Sequence, residues 1–173
     1  MRHAHLDRRK HDIPAQLPQG GIERRQATAS QRETAPLRVL LVDDDELVAN
    51  TALHILIGAG LEVTLARNGL ECVRFFGCSK FDLVLMDGQM PLMDGFEAAK
   101  RLRQVEAADT AKSAVPIIAM TGQTLHGIRD KCFSAGMNDV LTKPYSEKAL
   151  FATLAKWLPA ACARFDSQPG APV

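Results

Sequence analysis

The sequence is poor in cysteine and has no long apolar run. It contains four cysteines among 173 residues, and no two of them have the Cys-x-x-Cys spacing of redox or zinc sites. We therefore expect reduced cysteines that are mostly buried as small apolar residues. No apolar stretch approaches the roughly 20 residues that span a bilayer, and the polar N-terminus lacks the apolar centre of a signal peptide. These absences argue against a metal finger, a membrane span and a secreted protein, and they favour the cytoplasm.

The sequence also lacks a marked excess of charge of either sign, since its formal net charge is +1. Residues 1–36 carry seven Lys or Arg and four Asp or Glu, a net of +3, whereas residues 37–160 carry 13 and 15, a net of −2. The basic excess lies in the N-terminal segment, and nothing resembles the clustered basic face of a nucleic-acid-binding protein. We expect no direct contact with nucleic acid or with a membrane.

The two ends of the sequence contain few large apolar residues. Arg, Gln, Thr and Pro dominate residues 1–36, and the last residues are rich in Pro, Gly and Ala. Such segments bury too little surface to offset the entropy lost on ordering. We predict one folded domain over 37–159, between a disordered N-terminal tail (1–36) and a C-terminal tail (160–173), and we expect no separate output domain.

Between the tails, four short apolar runs and one stretch of alternating apolar and polar residues, 61–65, alternate with five stretches of helical pattern. Continuous apolar runs of this length are typical of parallel strands that are covered on both faces. The alternation predicts an α/β fold with a doubly wound, five-stranded parallel sheet. The predicted strands are 38–42, 61–65, 81–86, 115–120 and 140–142, and the predicted helices are 47–56, 70–76, 95–105, 125–135 and 147–158.

Polar side chains stand at the carboxyl ends of four predicted strands. Asp43 and Asp44 follow the first strand, Asp87 the third, Thr121 the fourth and Lys143 the fifth. Ligands of such sheets bind at the carboxyl ends of the strands, so we expect these side chains to converge. Crowded carboxylates stay ionised only beside a compensating cation. A ligand set of oxygens without His or Cys favours Mg²⁺.

This set of groups is suited to phosphoryl transfer. A carboxylate that is flanked by a metal ion, an ammonium group and a hydroxyl can attack a phosphoryl group in line, because the cations neutralise charge on the transferring oxygens. Asp45, Glu46 and Asp94 stand at predicted helix starts, and we interpret them as helix caps and not as ligands.

Four motifs in this order resemble those of the receiver domains of bacterial response regulators. They contain the pair Asp43-Asp44, the Met-Asp-Gly-Gln-Met-Pro run around Asp87, Thr121 with its preceding Ala-Met, and Lys143 followed by Pro. The resemblance covers about 120 residues, 37–158, and implies the flavodoxin-like strand order 2-1-3-4-5. It also implies a phosphoryl-accepting signalling protein that is not an enzyme, apart from self-catalysed phosphorylation and dephosphorylation. The expected partners are a histidine kinase or a histidine phosphotransfer protein, with output through protein–protein contacts.

The resemblance implies a Mg²⁺ site. Asp44 would bind the ion directly and Asp43 through water, while Asp87 and the backbone carbonyl of Gln89 would complete the protein ligands.

The resemblance also implies the catalytic roles. Asp87 would be the phosphate acceptor, Thr121 would bond a phosphoryl oxygen, and Lys143 would pair with the phosphoryl group. The Lys143–Pro144 peptide bond would be cis.

One position departs from the family pattern. The family usually carries an aromatic residue three positions before the strand-5 lysine, where this sequence has Val140. A valine has no ring to reposition on phosphorylation, so we expect activation to rest on Thr121 and the loop 122–125.

Three other interpretations remain open. The chain could be an interaction module that works without phosphate. It could be a phosphatase of the haloacid-dehalogenase type, although that chemistry needs a second Asp where Gln89 stands and a nucleophile at the end of strand 1. Within the receiver family, it could be a stand-alone receiver or a phosphorelay receiver of the hybrid-kinase type.

Overall fold

The computed structural model describes residues 36–108, 113–122 and 127–159. Both predicted tails, except Pro36, lie outside these residues, as do Cys162 and most of the loop 122–125. The elements are, in order, β1 Arg38–Val42, α1 Glu46–Gly58, β2 Glu62–Ala66, α2 Gly69–Cys78, β3 Leu83–Asp87, α3 Gly95–Ala107, β4 Ile117–Thr121, α4 Ile128–Ser134, β5 Asp139–Thr142 and α5 Glu147–Trp157.

The five strands form one parallel sheet in the order β2-β1-β3-β4-β5, so the predicted fold and strand order are confirmed. The chain moves from β1 outward to β2 and then returns to β3 on the other side of β1. The winding direction therefore reverses between β1 and β3. A doubly wound sheet opens a crevice at the carboxyl ends of such a pair of strands.

Strand alternation divides the core into two layers. On β1, Val39 and Leu41 pack in the layer formed by α1 and α5, whereas Leu40 and Val42 pack in the layer formed by α2, α3 and α4. Successive side chains of a strand point to opposite faces, and here both faces are covered by helices. This explains why the inner strands β1, β3 and β4 are nearly continuous apolar runs in the sequence, whereas the edge strand β2 is not.

Side-chain caps set the start of four helices. Asp45 accepts hydrogen bonds from the N–H groups of Leu47 and Val48, and Asp94 accepts one from Glu97, so these two predicted caps are confirmed. Glu46 is not the cap but the first residue of α1. Asn68 and Ser146 cap α2 and α5 in the same way.

The predicted bounds of three strands were wrong by one residue at the carboxyl end, and β2 ends at Ala66. Asp87 and Thr121 are the last residues of β3 and β4, and do not follow the strands. Of the predicted helix 125–135, residues 125 and 126 lie outside the described residues, and α4 begins at Ile128.

The described cysteines are free thiols. Cys72 and Cys132 are buried, as expected, whereas Cys78 is exposed. Burial raises the pKa of the Cys72 thiol to about 12, so it stays protonated and unreactive at neutral pH. Among the described helices, none is both long enough and apolar enough to cross a membrane.

A hydrogen-bonded carboxylate ties β5 to α5. The Oδ2 atom of Asp139 accepts from Lys156 Nζ at 2.6 Å and from Trp157 Nε1 at 3.0 Å. Burial alone would raise the pKa of Asp139, but these two donors and the N–H of Val140 lower it below its ordinary value.

We expect Asp139→Asn to lower the free energy of unfolding by about 1 kcal/mol at neutral pH, because charge-assisted hydrogen bonds become neutral ones. The pKa of Asp139 is lowered in the folded state, so its contribution exists above the unfolded pKa, about 3.9, and is lost as pH falls through the folded value. Urea titrations of the two proteins should therefore converge at low pH. Trp157, the one tryptophan of the chain, gives the fluorescence signal. The exposed Asp130 supplies the control variant Asp130→Asn, and an equal loss there would contradict the assignment.

Candidate functional site

Three charged residues extend one layer of the core at the carboxyl ends of their strands. Asp43, Asp87 and Lys143 each lie two residues after a buried leucine of the α1–α5 layer; these leucines are Leu41, Leu85 and Leu141. A period of two keeps the charged side chains on the same face as the leucines. The apolar layer therefore ends in a charged cluster at the reversal point between β1 and β3.

Lys143 bridges the two carboxylates of this cluster. Its Nζ atom lies 2.7 Å from Asp43 Oδ2 and 3.1 Å from Asp87 Oδ2. The Asp43 side chain is fully buried, whereas those of Asp87 and Lys143 are 15% and 17% exposed. Solvent thus reaches Asp87 and Lys143, and Asp43 lies behind them.

Burial is the largest single influence on the pKa values of Asp43 and Lys143. It raises the pKa of Asp43, and the charge of Asp87 raises it further, while Lys143 opposes both effects. Burial would lower the pKa of Lys143, but the hydrogen bond to Asp43 and the two negative charges raise it above its ordinary value. Lys143 therefore stays protonated and remains a fixed positive charge at the site.

Asp43 and Asp87 also belong to an acidic cluster that could hold a metal ion. One carboxylate oxygen each from Asp43, Asp44 and Asp87 lies within 4.8 Å of the other two. Asp44 is exposed and is the second residue after β1. Oxygen-only donors at this spacing fit a hard divalent cation. The backbone N–H of Gln89 donates to Asp87 Oδ1 at 3.3 Å, which places Gln89 at the same site.

Thr121 lies beside Lys143 at the end of the sheet. The backbone N–H of Lys143 donates to the carbonyl of Thr121 at 2.7 Å, and Thr121 is 4% exposed. The Lys143–Pro144 bond is cis, as the resemblance implies. All the predicted site residues therefore meet at the carboxyl edge of the sheet.

Gly95 is a site residue that the sequence interpretation missed. Its N–H donates to the carbonyl of Gly88 at 3.2 Å, which closes the segment between β3 and α3. A Cβ atom on Gly95 would overlap the backbone carbonyl oxygen of Asp87 and would lie 2.9 Å from Met86 Cγ. The start of α3 thus lies directly against the backbone of Asp87. A glycine following the capping Asp94 was the available signal.

Val140 lies in the opposite layer from the charged cluster. It is half-buried and packs against the core formed with α2, α3 and α4. The residues 123–125, on which activation was predicted to depend, lie outside the described residues, so that expectation stays a prediction.

A family model described as the response regulator receiver domain matches residues 39–155. The chain belongs to this family. The prediction that was based on the four motifs is thereby confirmed, and the four motifs fall within the matched residues.

Curated relatives of this receiver domain are histidine kinases and sensor proteins. Probable histidine kinase 4 of Oryza sativa subsp. japonica is 35% identical over 137 residues, which cover 69% of this chain and 14% of that protein. Sensor protein GacS of Pseudomonas syringae pv. syringae is 38% identical over 120 residues, which cover 69% of this chain and 13% of that protein. The chain thus spans about one seventh of the length of these relatives.

Solved receiver domains share the fold. The receiver domain of sensor histidine kinase PA1611 from Pseudomonas aeruginosa, with a magnesium ion coordinated in its active-site cleft, is 34% identical with a TM-score of 0.63, covering 72% of this chain and 99% of that one. The receiver domain of the Saccharomyces cerevisiae response regulator Ssk1, in complex with the histidine phosphotransfer protein Ypd1, represents a second match. That match is 30% identical with a TM-score of 0.68, covering 70% of this chain and 88% of the other.

Proposed function

We propose that this receiver accepts a phosphoryl group on Asp87, with the help of Mg²⁺, and signals through protein–protein contacts in the cytoplasm. The observation that carries the proposal is the pairing of Lys143 with both Asp43 and Asp87, beside a cluster of three carboxylates. Burying this many charges without a function is costly, because each ion loses its hydration. In this proposal the receiver has no substrate other than its phosphodonor and is not an enzyme in the usual sense.

The residues present fit a magnesium ion. Asp43, Asp44 and Asp87, with the carbonyl of Gln89, would hold it, and the ion would neutralise negative charge on the transferring phosphoryl oxygens. The magnesium ion in the cleft of the PA1611 receiver supports this choice of metal.

The protein side chains supply the rest of the chemistry. An Asp87 oxygen forms the new bond to phosphorus in line with the bond to the donor, which breaks as the donor leaves with its electron pair. Lys143, held as an ammonium group, pairs with the incoming phosphoryl oxygens, and Thr121 would contribute a hydrogen bond at the end of β4. Hydrolysis of the acyl phosphate then restores Asp87.

A histidine kinase or a histidine phosphotransfer protein is the proposed phosphodonor. The complex of Ypd1 with the Ssk1 receiver, and the kinases among the relatives, support it. Two exposed leucines also occur in the segments that follow the strands bearing the carboxylates: Leu47, 78% exposed in the first turn of α1, and Leu92, 79% exposed before α3. Apolar side chains in such positions suit contact with a protein donor. A stand-alone receiver and a phosphorelay receiver both fit this arrangement.

Intact-mass spectrometry tests the proposed acceptor. After incubation with Mg²⁺ and acetyl phosphate, the wild-type chain should gain the mass of one phosphate, and Asp87→Asn should gain none, because the amide is not a nucleophile. Asp45→Asn is the matched control, since Asn caps a helix nearly as well as Asp and the cap lies outside the cluster. It should be phosphorylated like the wild type.

The absence of phosphate on the wild type, with Mg²⁺ binding established, would favour an interaction module that works without phosphate. A phosphatase of the haloacid-dehalogenase type gains no support from the fold, because Asp87 ends β3 and Gln89 stands where the second Asp would be needed.

A further inference from the structure

Tyr145 follows Lys143 closely in the chain but has no role in the proposed chemistry. It is the one tyrosine of the chain and follows Lys143 by two residues. Its ring packs against the α1–α5 layer, the layer that ends in Asp43, Asp87 and Lys143. The ring is therefore held on the layer of the core that ends in these charged residues, and it is two residues from the lysine in the chain.

The hydroxyl of Tyr145 is buried, and among the described residues it has no hydrogen-bond partner. A buried polar group without a partner costs free energy, and such groups are rare in folded proteins. A phenylalanine would pack the same surface without that cost. The hydroxyl is therefore unnecessary for packing in the unphosphorylated form. A role for it is to be sought in the phosphorylated form.

The three charged residues act on this hydroxyl. Burial raises the pKa of Tyr145, Lys143 lowers it, and the negative charges of Asp43 and Asp87 raise it again. The phenol thus lies within the field of the whole cluster. Phosphorylation changes that field, because a phosphoryl group adds acceptor oxygens and further negative charge to Asp87. A protonated phenol beside new acceptors is an available hydrogen-bond donor.

We propose that Tyr145 is a positioning residue that responds to phosphorylation of Asp87, its hydroxyl gaining a hydrogen-bond acceptor only in the phosphorylated site. The inference rests on the proposed function and adds to it a coupling between phosphorylation of Asp87 and the position of Tyr145. The β5–α5 segment, which contains Tyr145, would be drawn toward the modified site by this bond. The chain would then have an aromatic reporter two residues after Lys143, in place of the one that Val140 cannot provide.

Removal of the hydroxyl tests the coupling. Beryllium fluoride with Mg²⁺ mimics a phosphoryl group on a carboxylate, and its affinity can be measured by the rise in melting temperature of the full chain. We expect Tyr145→Phe to be as stable as the wild type, or more stable, without ligand, and to bind beryllium fluoride about tenfold more weakly. A purely structural tyrosine would instead shift both forms equally and leave the affinity unchanged, which would overturn the inference.

A second measurement observes the tyrosine directly. Fluorotyrosine incorporated in place of tyrosine gives a single fluorine NMR signal, because the chain has one tyrosine. Mg²⁺ with beryllium fluoride should move this signal in the wild type and leave it in place in Asp87→Asn. A signal that stays in place in a wild-type protein that binds beryllium fluoride would refute the role of Tyr145 alone. A wild type that neither binds it nor accepts phosphate would refute the proposed function and this inference together.

Discussion

Gly95→Ala should destabilise the domain by about 3 kcal/mol and displace the proposed phosphate acceptor. An ideal Cβ at this position overlaps the carbonyl oxygen of Asp87, which is backbone and cannot rotate away. Either β3 or the first turn of α3 must move, and overpacking of this kind costs about 1–3 kcal/mol or more. Because the overlapped atom belongs to Asp87 itself, movement of β3 would misplace the carboxylate relative to Lys143.

Urea unfolding and phosphorylation by acetyl phosphate measure the two expected effects. Gly77→Ala is the matched control, since Gly77 lies within α2 and a Cβ there meets no other atom within 4 Å. Alanine should stabilise that helix by about 0.5–1 kcal/mol and leave phosphorylation unchanged. If Gly95→Ala were as stable and as readily phosphorylated as the wild type, the close approach of α3 to Asp87 would not constrain the site.

The contrast between these two glycines shows what the sequence could and could not predict. The apolar runs and the helical patterns between them predicted the five-stranded parallel sheet, because helices cover both faces and most strand positions are apolar. The same runs placed Asp43, Asp87 and Lys143 at one edge. The contact of Gly95 with Asp87, in contrast, depends on the path of the intervening loop, which no periodicity encodes.

The hydroxyl of Tyr145, which has no hydrogen-bond partner within the described part of the chain, was unpredictable for a related reason. A tyrosine after Lys143 and Pro144 suits an apolar layer whether or not its hydroxyl finds a partner. Only the three-dimensional neighbourhood shows that the hydroxyl is buried near charges and not in solvent. The ends of β3 and β4 were missed by one residue because Asp87 and Thr121 are polar, and a polar residue ends an apolar run in the sequence even where the strand continues.

Asp43→Asn should raise the free energy of unfolding of the metal-free protein by about 1 kcal/mol at neutral pH. The Asp43 side chain is fully buried, and its raised pKa means that its charge costs more in the folded than in the unfolded chain. A neutral amide of the same shape removes this cost, and Lys143 keeps Asp87 as its partner. Such a gain at a functional site is the usual form of a stability–activity trade-off.

The pH dependence of the gain follows from the same shift. With a folded pKa above the unfolded one, Asp43 lowers stability as pH rises from the unfolded value through the folded value. The stability advantage of Asn should therefore disappear below about pH 4, where the carboxyl is protonated in both states. Urea titrations across this range would detect it, and an advantage that persists at low pH would contradict an electrostatic origin.

When Mg²⁺ is present, we expect Asp43→Asn to lose stability relative to the wild type. Magnesium should stabilise the wild type by mass action if it occupies the proposed site, which only the folded chain provides. Asp43→Asn should then lose about ten- to a hundredfold in Mg²⁺ affinity, the loss typical of a group that holds a metal ion through water. Phosphorylation by acetyl phosphate should fall with it. The control Asp45→Asn should change neither stability nor affinity, since its side chain caps α1 outside the cluster. Asp43 would then be retained for the metal and the phosphoryl group, at the expense of the stability of the metal-free protein. Unchanged Mg²⁺ affinity in Asp43→Asn would refute that role.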